Sequence, residues 1–257
     1  MRAPRRIWAV AAIHGEAERL ADLHDLLRTR MELCDRVVYL GNMIGRGSQV
    51  RECLDELLRF RLAVIARPHG DAEDVVFLRG SQEEMWQKLL QLQFAVDPKG
   101  VLTWMLHQGV GATLATYGIT VEEARHAAGA GPASLTRWTA GLRNAIQAHP
   151  GHQQVMAALK RAAYSDDRAL LFVNSGLDPT RPLEAQSDSF WWSSGAYSAL
   201  AAPYDGFRRV VRGFDPSHAG VDLEAFAATL DGGCGFGGPL VAACFGSDGA
   251  LLDRLEA

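Results

Sequence analysis

Between residues 7 and 95 the chain repeats one unit three times: a short apolar run, a glycine-rich break, and a helix with one apolar face. The runs are Ile7 to Ile13, Arg36 to Leu40 and Asp74 to Gly80. The first helix carries Leu20, Leu23, Leu27 and Met31 at helical spacing. The second starts near Ser48 and turns Cys53, Leu54, Leu57 and Leu58 inward, and the third passes through Met85, Leu89 and Leu92. Strands alternating with helices predict βαβ units and a largely parallel sheet. The second run, RVVYLGNMIGRG from Arg36 to Gly47, shows a buried strand leaving the sheet through Gly41, Gly45 and Gly47, the edge at which a ligand is expected.

Residues 99–164 are alanine-rich and read as helices, so they are expected to form a helical cap or insertion without strands. A strand returns at Ala169 to Asn174. The last fifty residues hold short runs, FRRVVRG, FAATLD, PLVAACFG and ALLDRLEA, that read as an antiparallel second layer. The 257 residues, 48% hydrophobic, suffice for one domain over 1–257 with 99–164 inserted in it. A net charge of −4 gives no general attraction to nucleic acid or anionic lipid, so any anion site must be local. No segment reaches membrane-span length. Cys34, Cys53, Cys234 and Cys244 lack CxxC spacing and read as reduced thiols of a cytoplasmic protein. Arginines precede the first apolar run as in a signal peptide, but the run is short and reads better as a strand.

Laid in order, the strand exits resemble the calcineurin-like metallophosphoesterases, in the bacterial serine/threonine phosphatase branch that includes diadenosine polyphosphate hydrolases. That family carries GDIHG, GDxxDRG, GNHE, HAG and GH motifs. The matching stretches here are AAIHG (Ala11 to Gly15), GNMIGRG (Gly41 to Gly47), GSQE (Gly80 to Glu83), NSG (Asn174 to Gly176) and RGFDP (Arg212 to Pro216). The resemblance implies an α/β fold: a two-sheet β sandwich flanked by helices, with a helical cap. It also implies two divalent metals, such as Mn, Fe or Zn, that activate a hydroxide and clamp phosphoryl oxygens.

The ligand set of that chemistry is missing. Matched residue by residue, the metal positions are Ala12, His14, Asn42, Ser81, Asn174 and Phe214, with Arg212 at the remaining histidine of the last motif. The family's general acid matches Gln82, and the aspartate that orients it matches Gly45. Two adjacent divalent cations need anionic ligands. An arginine about 4 Å from a dication costs on the order of 8 kcal/mol at an effective dielectric near 20. The expectation is a pseudophosphatase with no catalytic residues, no metal and no cofactor, acting by binding a phosphorylated ligand or protein partner.

Arg46 matches the phosphate-gripping arginine of the family. The turn around it is expected to keep an anion-binding backbone leading into a helix N-terminus. Arg46, Arg212, His14, Asn42 and Asn174 form the candidate anion pocket. For both arginines a structural role stays open, as does a backbone-satisfied histidine at His14. Ser81 is expected to cap the next helix with Glu84. Phe190, Trp191, Trp192 and Tyr197 read as core or as a partner surface. An alternative is an active phosphoesterase with a relocated metal site drawn from His14, His69, Asp71, Asp215 and His218, with Glu73 and Asp74 near by. A further alternative is a structural subunit of a larger assembly.

Overall fold

The computed structural model describes residues 6–224 and 226–257. The arginines that open the chain within residues 1–5 lie outside the described residues. The first strand, β1 (Arg6–Val10), leads to α1 (Ala17–Arg30), β2 (Arg36–Tyr39), α2 (Val50–Ile65), β3 (Val75–Phe77) and α3 (Ser81–Leu89). The three strands pair in parallel, as the alternation requires, with β1 beside β2 and β2 beside β3. Leu20, Leu23 and Leu27 of α1 and Cys53, Leu54 and Leu57 of α2 are buried, so the apolar faces read from spacing are the packed ones. Asp74, read as the start of the third strand, instead closes a short 3-10 turn.

Five helices follow: α4 (Pro98–His107), α5 (Val110–Thr116), α6 (Val121–Gly129), α7 (Pro132–Gln147) and α8 (His152–Ala158). Their inward residues, among them Leu102, Leu114, Leu135 and Leu142, join the same hydrophobic core as the first sheet. The end of the 99–164 segment departs from expectation, because β4 (Ala163–Tyr164) is an edge strand of a second sheet. Two residues carry no periodicity to read.

The second sheet continues with β5 (Leu170–Val173). Two single-turn helices, α9 (Ser189–Trp192) and α10 (Ser194–Tyr197), precede β6 (Arg209–Arg212) and β7 (Ala227–Thr229). Its order is β4-β5-β6-β7, with β5, β6 and β7 parallel. The hairpin β8 (Val241–Gly246) and β9 (Leu251–Glu256) goes to the first sheet, whose order is β3-β2-β1-β8-β9, with β8 antiparallel to β1. The expected antiparallel second layer is therefore corrected: the late strands are shared between two mixed sheets. Alternation along β5 explains the sandwich. Leu170 and Phe172 face the main core, where Phe172 meets Phe245 of β8, while Leu171 and Val173 face a smaller core with Phe190, Trp191 and Tyr197. No described helix is long and apolar enough to cross a membrane, and the four cysteines form no disulfide.

Candidate functional site

The parallel strands of both sheets bring their exits together. Ala12 N–H donates to Gly213 O after β6, Ile13 and His14 N–H donate to Asn42 O after β2, and Phe214 N–H donates to Asn174 O after β5. Every sequence-predicted pocket residue except Arg212 points into or lines this junction.

The turn after β2 has closed around a carboxylate of the protein itself. Glu83, fully buried in the first turn of α3, accepts from the backbone N–H of Asn42 (2.9 Å), Met43 (2.7 Å), Ile44 (3.2 Å) and Gly80 (2.8 Å). Four donors fill both oxygens of an ionised carboxylate. Burial pushes this carboxyl above its ordinary range, and the same four donors oppose the shift. Arg46 N–H goes to Gly109 O and Gly47 N–H to His14 O. The expectation of an anion-binding backbone in this turn is thus corrected, because those donors are taken. The cap of α3 is corrected as well. Gly80 is the N-cap, with Glu83 reaching back to it, whereas Ser81 is inside the helix and gives its hydroxyl to Asn42 Oδ1 at 3.2 Å. Glu84 instead pairs with Arg79 and Lys88.

Asn42 Oδ1 also accepts from Gln82 N–H, and Asn174 bridges Ser81 N–H to Leu40 O. The two amides therefore hold α3 to β2 and β5 without charge. Gln82 donates Nε2–H to Gln108 O at 2.7 Å, which ties the α4–α5 joint to the site. Gly45 sits at φ 85°, and a Cβ there would stand 2.2 Å from Gln82 Oε1, so a side chain would be strained and would displace Gln82.

His14 is buried between Phe214 and Phe236, 5.3 and 5.4 Å away edge-on, and neither ring nitrogen makes a hydrogen bond of ordinary geometry. Burial, with Arg46 and His218 near by, pulls its pKa down to about 3, against a small opposing effect of the Ile44 backbone, so the imidazole is neutral at neutral pH.

The two arginines differ. Arg212 is buried, pairs with Asp215 at 3.0 Å, donates Nε–H to Thr229 Oγ1 at 2.9 Å and lies 4.5 Å from the Tyr197 ring centre. Its guanidinium is committed, and it faces a separate cleft with Asp215 and Asp222. Arg46 has no carboxylate partner among the described residues. It lies over Phe236 at 4.2 Å, its Nε–H is buried without an acceptor, and burial pulls its pKa down. It opens on a cleft of about 450 Å³ shared with Ser81, Gln82, Trp191, Trp192, Phe214 and Phe236. Asn42 Nδ2, Gln82 Oε1, Ser175 Oγ and Trp191 Nε1 are also buried at this junction without partners among the described residues. Buried polar groups are seldom left so, and ordered water or a ligand would satisfy them.

A pair of divalent metals needs a ligand set that these residues do not supply. The motif positions supply a methyl group, one imidazole, two amides whose oxygens already accept from Ser81 and Gln82, a hydroxyl, a phenyl ring and a guanidinium, and no carboxylate. Among the described residues no group of three or more His, Cys, Asp or Glu is arranged to hold a metal ion. His69, Asp71 and Glu73 are exposed before β3, at the end of the sheet opposite the strand exits, and Asp71 and Asp74 are occupied in the 3-10 turn, so they do not join His14. Asp215 is held by Arg212 and Ser217, and His218 by Asp231. The set does not fit the metal pair.

The aromatic segment is divided: Phe190, Trp191 and Tyr197 are core, while Trp192 is exposed in the cleft. Sequence reasoning missed Glu83, although it stands in the third motif, and Phe236, which lies in the glycine-rich turn between β7 and β8. Trp104 and Gln108 of the cap carry no sequence signal.

No protein-family model matches the chain, and no curated protein matches it. Solved structures do. A protein proposed to be a diadenosine tetraphosphatase superposes with a TM-score of 0.57 at 18% identity, covering 98% of this chain and 94% of that one. A serine/threonine phosphatase from Saccharomyces cerevisiae, similar to human phosphatase PP5, superposes with a TM-score of 0.54 at 13% identity, covering 98% and 80%. The fold is that of the calcineurin-like metallophosphoesterases, as the motifs implied. The expectation of no cofactor is corrected by these neighbours. The neighbouring metallophosphoesterases and phosphatases use divalent metals.

Proposed function

We propose that this chain uses a metallophosphoesterase fold to bind a phosphorylated ligand, free or carried on a protein partner, and that it is catalytically degenerate. The observation that carries the reading is Arg46: an arginine without a carboxylate partner, preset over Phe236, beside orphaned buried donors at the junction of the strand exits. Hydrolysis lacks its proton donor, since the residue matched to the general acid is Gln82, whose amide does not titrate and is bonded to Gln108 O. The printed names of the fold neighbours, a proposed diadenosine tetraphosphatase and a serine/threonine phosphatase, are in keeping with a phosphorylated ligand.

The test is thermal unfolding with and without inorganic phosphate, paired with an assay of aryl phosphates, phosphopeptides and dinucleotide polyphosphates in the presence of Mn²⁺. Phosphate is expected to raise Tm in the native chain and not in Arg46→Ala, with no turnover in the assay. Mn²⁺-dependent turnover that scales with purified protein and disappears in Arg46→Ala would falsify the degenerate reading.

A further inference from the structure

The cleft that holds Arg46 is walled by aromatic rings from three parts of the chain. Trp104 comes from α4, Trp191 and Trp192 from α9, and Phe236 from the turn after β7. Trp104, Trp192 and Phe236 are 44%, 43% and 40% exposed, and all three stand on this one cleft. Single exposed aromatics are ordinary, but three on one concave surface are a concentrated apolar wall. Trp104 and Trp192 meet at 5.8 Å between ring centres, tilted by 56°, and both stay partly exposed.

This wall is held in register with the anion end. Gln108 N–H donates to Trp104 O, and Gln108 O accepts from Gln82 at 2.7 Å. The next residue, Gly109, accepts Arg46 N–H through its carbonyl. The α4 helix therefore fixes Trp104 one turn away from the residues that touch Arg46 and Gln82. The indole N–H of Trp191, a residue 4% exposed that lines the same cleft, is a buried donor without a partner among the described residues.

A bare phosphate uses Arg46 and the orphaned donors and leaves the wall wet. A planar ring laid on the wall removes apolar surface from water and packs against the exposed indoles. We propose that the cleft reads two features of one ligand: a phosphate at Arg46 and, attached to it, a planar aromatic ring at Trp104 and Trp192. The ligand class is an aromatic phosphate ester. This inference rests on the anion-binding reading above.

Titration calorimetry of the full chain with inorganic phosphate and with phenyl phosphate separates the two claims. Phenyl phosphate is expected to bind at least tenfold more tightly than inorganic phosphate. Trp192→Ala and Trp104→Ala are each expected to cut that gain, read as the ratio of the two affinities within each variant, to threefold or less. Equal affinity for the two ligands in the native chain overturns the inference and leaves the anion-binding reading standing. A tenfold gain that survives both tryptophan substitutions also overturns it, because the ring then lies elsewhere. Binding of neither ligand overturns the anion-binding reading, and the inference falls with it.

Discussion

Glu83 Oε1 lies 2.7 Å from the backbone nitrogen of Met43, so the turn that follows β2 already encloses an anion, and that anion belongs to the protein. The N–H groups of residues 42, 43 and 44 converge on this one side chain, which explains how the turn keeps its shape with neither of the carboxylates that its motif calls for.

Removing that carboxylate should be costly. Glu83→Ala strips the acceptor from four buried N–H groups at about 1–3 kcal/mol each, partly recovered by relaxation, for an expected loss on the order of 4 kcal/mol. Glu83→Gln keeps the shape and one acceptor oxygen, and should lose less. Urea unfolding of both variants checks the order, and equal stability of Glu83→Ala and the native chain would rule out the structural role.

Gly45 and Gln82 should be energetically coupled. Gly45→Ala sets a Cβ against Gln82 Oε1 at a φ of 85°, and is expected to cost about 2 kcal/mol or more from overlap and backbone strain together. Gln82→Ala removes the obstacle, so the double variant should be more stable than the sum of the single losses by about 1 kcal/mol. Strict additivity in a double-mutant cycle would show that the two side-chain positions do not compete for the same space.

His14 makes stability depend on pH with a definite sign. Its folded pKa is lowered from 6.5 to about 3, so between those values the unfolded chain binds a proton that the folded chain does not. Stability from this group is complete above pH 6.5 and is lost as pH falls, by up to about 1.4 kcal/mol per pH unit within the window. His24 and His152 are also shifted down by burial, so the native slope is a sum. The difference between the native chain and His14→Asn, a residue that tolerates the φ of 53°, isolates the His14 share. Parallel stability curves for the two proteins from pH 7.5 to pH 5 would mean that His14 can be protonated in place.

The two arginines of the candidate pocket should separate by stability. Arg212→Ala leaves buried Asp215 without its partner and is expected to cost about 3–5 kcal/mol. Arg46→Ala breaks no ion pair, gives up one cation–π contact and should stay within about 1 kcal/mol of the native chain. Chemical denaturation of the pair is a direct comparison, and similar large losses would make Arg46 a structural residue too.

Much of the site was legible because the motif order maps onto strand exits, and parallel strands must bring those exits to one edge. That logic placed His14, Asn42, Gln82, Asn174 and Phe214 together before any coordinates. It could not tell Arg46 from Arg212, since both look like free cations in sequence. Their difference comes from Asp215 and Thr229, which only the geometry of β6 and β7 brings to Arg212. Nor could it see that the backbone donors of the second turn were spoken for, because the acceptor lies about forty positions away at Glu83. The late strands were misassigned for a related reason: short apolar runs show that they are buried but not which sheet they join.

The sequence by itself determined the βαβ alternation, the glycine breaks and the loss of the ligand side chains, because periodicity, backbone freedom and side-chain chemistry are properties of residues and their near neighbours. Tertiary structure alone decided which polar groups are satisfied and which face an open cleft. Satisfaction depends on contacts between residues far apart in the chain. Here it leaves Arg46 unpaired beside an aromatic wall formed where helices of the cap and of the sandwich meet.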